Sequence, residues 1–188
     1  PGETLTLPTF EPRYRQLIND CLKERKSFGI PCVIDGRIEE LGTLMQVTEL
    51  VKDYENGEMD IRTKGINIFR TLEIVKSIPD KLYDGAIASY PTNYMSHGDS
   101  DLSRKILAEV KKMYELLGVA EKFPADKNSM ISYEIAHFVG LTRQQEYELL
   151  NIFTEIRRLE YLRRHLNSMA SALTGLEEMK KRINMNGH

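Results

Sequence analysis

The side chains best suited to chemistry in this sequence are four histidines, two cysteines and a Ser/Lys grouping, and their spacing excludes most of it. His97, His137, His165 and His188 never stand i, i+4 as a helical metal clamp requires, and neither Cys21 nor Cys32 lies near one in sequence. No metal and no cofactor is expected. Lys127, Ser129 and Ser132 have the residue types of a Ser–Lys nucleophile, but a serine just before a helix is more simply an N-cap. The sequence contains no Gly-Lys pair, so it has no P-loop to cradle phosphates. Arg157, Arg158, Arg163, Arg164 and His165 form a basic cluster, interleaved with Glu155 and Glu160. With Glu160 and Arg164 at i, i+4, the expectation is a solvated, salt-bridged helix face, with an anionic partner as the alternative. No residue is assigned to catalysis, to a metal or to a cofactor, and sequence alone does not locate a substrate-binding surface.

The elements that must position any site divide the chain in two. Leu5-Thr6-Leu7-Pro8 is an extended apolar segment, and Pro12 opens a helix, where its fixed φ suits the first turn. Tyr14, Leu17, Ile18, Cys21 and Leu22 make that helix's apolar stripe. Glu11 stands four residues before Arg15, and Arg13, Arg15 and Arg70 are read as structural anchors. Ser27–Ile34 is an apolar run that Pro31 demotes to an edge or bulged strand. Asp35-Gly36 is a turn, and Leu41 through Val51 alternates as a strand. Asn56-Gly57 supplies a hairpin signal. Met59, Ile61 and Thr63 alternate on the return strand; Gly65 is expected to end it, with Ile66–Val75 as a further strand and Leu82–Tyr90 as the last, stopped by Pro91.

From residue 93 the character changes. Asn93–Ser103 reads as a linker with Asp99, Ser100 and Asp101 as candidate caps. Leu102, Ile106, Val110, Met113 and Leu117 give an amphipathic helix closed by Gly118. Ser129 is a candidate cap for a short helix carrying Ile131, Ile135, Phe138 and Val139, ended by Gly140. Thr142 with Gln145 makes a capping box. After a break near Asn151, Leu159, Leu162, Leu166, Met169 and Leu173 step 3-4-3-4 along a long final helix. The expected fold class is α+β, with domains at 1–95 (β-rich, one inserted helix) and 96–188 (a helical sub-domain).

Composition agrees with an ordinary globular protein: 188 residues, 41% hydrophobic, 29% charged, net charge −2. Whole-molecule attraction to nucleic acid or to an anionic membrane is not expected, and no run has the length of a membrane span. The two cysteines read as reduced core thiols of a cytoplasmic protein.

The order of several short pieces identifies more than composition does. Pro1-Gly2-Glu3, Leu7-Pro8, Phe10-Glu11-Pro12-Arg13-Tyr14, Phe28-Gly29, Leu41-Gly42-Thr43, Lys64-Gly65-Ile66, Phe69-Arg70 and Tyr83–Pro91 together resemble the amino-terminal domain of the Lon ATP-dependent proteases. The resemblance is specific over 1–91 and rests on helical pattern over 99–188. It implies a PUA-like β pseudo-barrel followed by an α-helical bundle, and a role in recognising polypeptide. It also implies that Pro1 is the tail of a strand. The family's ATPase and Ser/Lys peptidase domains do not fit in this length, so a stand-alone protein or an excised fragment is expected, without enzyme activity of its own.

The function expected is therefore non-catalytic recognition of protein substrates or partners, linked to proteolysis or quality control. Its mechanism would be reversible contact of exposed apolar segments with a shallow groove, partly at the junction of β structure and helices. A protease or ATPase is the expected partner. The alternatives are RNA binding through the barrel and basic helix, or assembly as a homo-oligomer through the C-terminal helix.

Overall fold

A computed structural model describes residues 1–95, 101–124 and 130–186, with side chains through residue 172. The strands are β1 (Thr4–Thr9), β2 (Phe28–Ile34), β3 (Arg37–Asp53), β4 (Met59–Val75) and β5 (Gly85–Ser89). The helices are α1 (Pro12–Glu24), α2 (Asp101–Leu116), α3 (Ser132–Ala136), α4 (Arg143–Leu150) and α5 (Glu155–Asn186), with a short 3₁₀ turn at Ala120–Lys122. The α+β class expected from the sequence is the observed one.

The sheet is antiparallel, in the order β1-β4-β3-β2, with β5 also on β4. Two long strands, β3 and β4, form its spine, joined by a turn in which Gly57 takes φ +79°. The first part of β3 pairs with the last part of β4 (Leu41 opposite Arg70), and there β2 and β5 flank them; the other half carries β1. Register shifts at Leu44/Met45, Val47/Glu49 and Leu50/Lys52 bend this spine.

Gly65 does not end a strand. It lies inside β4 next to Ile66, the unmatched residue of the Leu44/Met45 register shift, and its N–H donates to the Glu3 carbonyl (2.9 Å) while its carbonyl accepts from the Gly2 N–H (2.7 Å). An added Cβ there would stand 3.2 Å from Pro1 Cα, so glycine lets the Pro1–Glu3 segment lie flat on the strand.

The described chain divides into two compact units, 1–93 with 143–153, and 94–142 with 154–188. Residues 143–153, expected from the sequence in the helical sub-domain, group with the first unit. There α4 packs on β2, and the Leu41 N–H donates a long bond to the Tyr147 hydroxyl (3.4 Å). Ile18 of α1 packs on Met59 and Ile61, flanked by Leu7, Phe28 and Val47. Within the α1 stripe, Ile18 and Cys21 are buried while Tyr14 and Leu22 reach solvent. Glu11 bonds Arg13 (2.8 Å), and Arg15 instead donates to the Asn56 carbonyl (2.6 Å), tying the helix start to the β3–β4 turn. Arg70 pairs with Glu40 at 2.8 Å.

In the second unit α2 and α3 pack on α5. Ile106, Val110, Ile135, Val139, Leu159, Leu162 and Leu166 form its core, with a Tyr114, Phe123, Phe138 ring cluster alongside. Gly118 and Gly140 take positive φ after α2 and α3, as their expected stop positions require. The candidate caps Asp99 and Ser100, with Lys127, Ser129, His97 and His188, lie outside the described residues, as do the side chains from Leu173 onward.

Candidate functional site

One groove of about 700 Å³ in the first unit has the size and lining of a binding site. Five segments converge on it. Tyr14, Leu17 and Cys21 come from α1, Phe28 and Gly29 from β2, Leu44 from β3, Phe69 and Ile74 from β4, and Ala86 and Ala88 from β5. The small residues make the space. A Cβ on Gly29 would lie 2.8 Å from the Phe69 ring, and one on Gly42 would lie 2.5 Å from that ring and from the Ile30 carbonyl oxygen. Both glycines therefore exist to seat Phe69, which is 6% exposed beneath the groove. At the mouth stand Tyr90, Ile38, Ile74 and Tyr14, all exposed.

Helix α1 positions one wall through its polar face. The Gln16 side chain donates to the Asp80 carbonyl (2.8 Å) and accepts from the Leu82 N–H (2.6 Å), clamping the 76–84 loop that leads into β5. Ser77 and Asp80 of that loop sit in the left-handed region at φ 58° and 61°. One turn along α1, an Asp20 carboxylate oxygen accepts from Lys81 Nζ (2.6 Å) and from the Tyr83 hydroxyl (2.8 Å). The Lys81 bond, then the Tyr83 bond, hold the Asp20 carboxyl below its ordinary pKa, and the same Asp20 bond raises Lys81. Burial, then Asp20, raises the Tyr83 phenol.

Each cation of the rim is thus paired, with Asp84 as a further acid. Lys26 pairs with Glu24 at 2.5 Å, Arg13 with Glu11 at 2.8 Å, and Lys81 with Asp20. Ser27, Thr71, Tyr83 and Asp84 also line the groove. Burial raises the Cys21 thiol, the opposite of what a nucleophile needs. Of Ile30, Met45, Met59, Ile68 and Phe69, which sequence could not sort by exposure, only Ile30 reaches solvent.

The other candidates fall out differently. Ser132 is fully buried: its hydroxyl donates to Glu155 (2.7 Å) and accepts from Arg158 Nε (2.8 Å). Arg158, expected on a solvated face, has no exposure at all. It bonds Glu155 (2.8 Å) and the Tyr94 carbonyl (2.8 Å), with its guanidinium 4.4 Å from the centre of the Tyr133 ring. This buried cluster joins the start of α5 to α3, and reasoning from sequence misses it. A signal was present, because Arg158 stands four residues before Leu162 and Glu155 four before Leu159, both on the apolar stripe. Glu160 pairs with Arg163 (2.8 Å) in place of the expected Arg164, so the basic cluster does not present one face. The His165 ring nitrogen Nε2 lies 2.8 Å from the Val139 carbonyl, and His137 ends α3. Among the described residues no group of three or more His, Cys, Asp or Glu is placed to hold a metal ion. None of the described helices is long and apolar enough to cross a membrane.

Comparison with known structures places this fold. It is similar to a Lon N-terminal domain protein from Xanthomonas campestris (TM-score 0.63, 23% identity, covering 86% of this chain and 89% of that one). It is also similar to the N-terminal domain of Mycobacterium avium complex Lon protease (TM-score 0.55, 13% identity, covering 89% of this chain and 91% of that one). A search of curated protein sequences found no match. The family model of the ATP-dependent protease La (LON) substrate-binding domain matches residues 1–168, and with the bent sheet, inserted helix and helical second unit already described, the chain belongs to that family.

Proposed function

We propose that this domain recognises protein substrates for proteolysis, and that the groove between α1, the 76–84 loop and β5 is where it does so. The observation that carries the reading is a groove lined by apolar side chains whose three rim cations each lie on an anion, in a substrate-binding-domain family. Such a surface favours uncharged apolar segments, which folded proteins bury and unfolded ones expose. Binding is weak and reversible, since a shallow site recovers little beyond association and ordering costs. An ATPase with a peptidase, covalently attached or separate, is the partner that would use the captured segment. A cytoplasmic setting belongs to the same proposal, in keeping with two cysteines that are free thiols.

The test is fluorescence anisotropy with a permanently unfolded, alkylated protein and a folded globular control. The unfolded protein binds and the control does not. Ile74→Lys, which puts an unpaired charge at the groove mouth, weakens binding about tenfold. Equal retention of both proteins, or an Ile74→Lys variant that binds like the parent, removes the proposal.

A further inference from the structure

The outer edges of β1, β2 and the far part of β3 are guarded, and that of β5 is not. β1 carries Pro8, which lacks a donor. β2 carries Pro31 and a register shift between Pro31 and Val33. The part of β3 beyond its pairing with β2 carries Glu49, Lys52 and Asp53 and two further shifts. Prolines, charges and bulges on edge strands all prevent another chain from pairing there. β5 is Gly85-Ala86-Ile87-Ala88-Ser89, with no proline, no charge and no extra residue of its own; the unmatched residue at its shift, Leu72, belongs to β4. Among the described residues β5 pairs only with β4, and Ala86 and Ile87 are exposed.

This unguarded edge runs along the groove. Gly85, Ala86 and Ala88 line it; Ile78 packs against Gly85, and the small side chains of Ala86 and Ala88 leave room for another backbone to approach. We propose that a bound substrate segment lies extended in the groove and adds as a strand to the outer edge of β5. Main-chain bonds then supply affinity that does not depend on substrate sequence, and alternate side chains drop onto the apolar floor. Charge complementarity selects the occupant. The rim cations Arg13, Lys26 and Lys81 each lie on an anion, and the further rim acid Asp84 acts on Arg13, so no cation is left over for an acidic segment and the groove matches an uncharged one with alternating apolar residues. The five residues of β5 engage a segment of about five residues, roughly 17 Å. This inference rests on the groove being the substrate site.

The experiment uses a fluorescein-labelled octapeptide of alternating valine and threonine and two derivatives, N-methylated at every odd or every even residue. Alternate N–H groups of an extended chain point to opposite edges, so only one derivative loses the donors that face β5. The full chain binds the parent peptide and one derivative alike, and the other at least about tenfold more weakly. Two derivatives that behave alike overturn strand addition. Ala88→Phe, which fills the groove, separates the two readings. If it abolishes parent-peptide binding while the derivatives behave alike, the groove is the site and the edge is not used. If it folds normally and binds the parent peptide unchanged, both readings fall; Tyr90→Ala, at an exposed position, repeats this arm should Ala88→Phe not fold. Sedimentation of the unliganded chain completes the test. A dimer that Ala88→Phe abolishes assigns the edge to a second copy and overturns the proposal.

Discussion

The three atoms nearest to a methyl group at Gly29 all belong to the Phe69 ring, whereas Gly42 also meets backbone; this difference makes a quantitative test of how the groove floor is built. A Cβ on Gly29 would stand 2.8 Å from both Phe69 Cε1 and Cζ. With the ring 6% exposed and held between strands, Gly29→Ala forces it off its rotamer, an overpacking cost of about 1–3 kcal/mol. Phe69→Ala alone costs about 3–5 kcal/mol. With the ring gone, the added methyl loses its nearest obstacles, and alanine regains about 0.5–1 kcal/mol of backbone entropy relative to glycine. Gly29→Ala is then neutral or slightly stabilising in the Phe69→Ala background. Gly42→Ala keeps part of its cost there, because its Cβ would still lie 2.5 Å from the Ile30 carbonyl oxygen. Urea unfolding followed by far-ultraviolet circular dichroism measures all five variants, since the chain has no tryptophan. A Gly29→Ala cost that is the same with and without Phe69 would show that the two residues are not coupled and that the glycine has another role.

Arg158→Met leaves Glu155 buried without its cation and destabilises the second unit by about 3–5 kcal/mol in thermal unfolding; a loss below about 1 kcal/mol contradicts the cluster's role. Asp20 has a folded pKa below its unfolded value, so its stabilisation is present above the unfolded carboxylate pKa of about 3.9 and is lost as pH falls through the folded pKa. The urea midpoint of Asp20→Asn therefore lies below the parent's near neutrality and converges with it under acid; a gap that persists unchanged into strong acid disproves the linkage. Gln16→Ala removes the acceptor of the Leu82 N–H, and hydrogen exchange at that amide speeds up about tenfold, while an unchanged rate shows that the loop is held by other contacts.

Local chemistry makes much of the first half legible from the sequence alone. Pro12, Asn56-Gly57 and Pro91 mark a helix start, a hairpin and a strand stop, because each acts through its own backbone or its neighbours'. Gly65 misleads for the same reason. A glycine within a strand reads locally as a break, and only the distant Pro1–Glu3 segment lying on it shows why a glycine stands inside the strand. Arg158 misleads because charge suggests solvent while its position on the stripe suggests core, and the partners that permit burial, Ser132 and the Tyr94 carbonyl, lie far away in sequence. The groove is illegible as a place. Gly29, Gly42 and Phe69 can be recognised as family markers, but their shared purpose appears only when β2, β3 and β4 bring them together. The opening Phe10–Tyr14 corner is chiefly structural, with Arg13 and Tyr14 also reaching the groove mouth.

The proposed function stands or falls on whether polypeptide substrate occupies this groove. Site-specific photo-cross-linking answers that, with benzoylphenylalanine placed at Tyr90 on the groove mouth or at Leu116, a still more exposed apolar position at the end of α2. With an alkylated unfolded protein as substrate, strong cross-linking is expected from position 90 and little from 116. Equal yields, or a stronger product from 116, would place the substrate elsewhere and contradict the proposal.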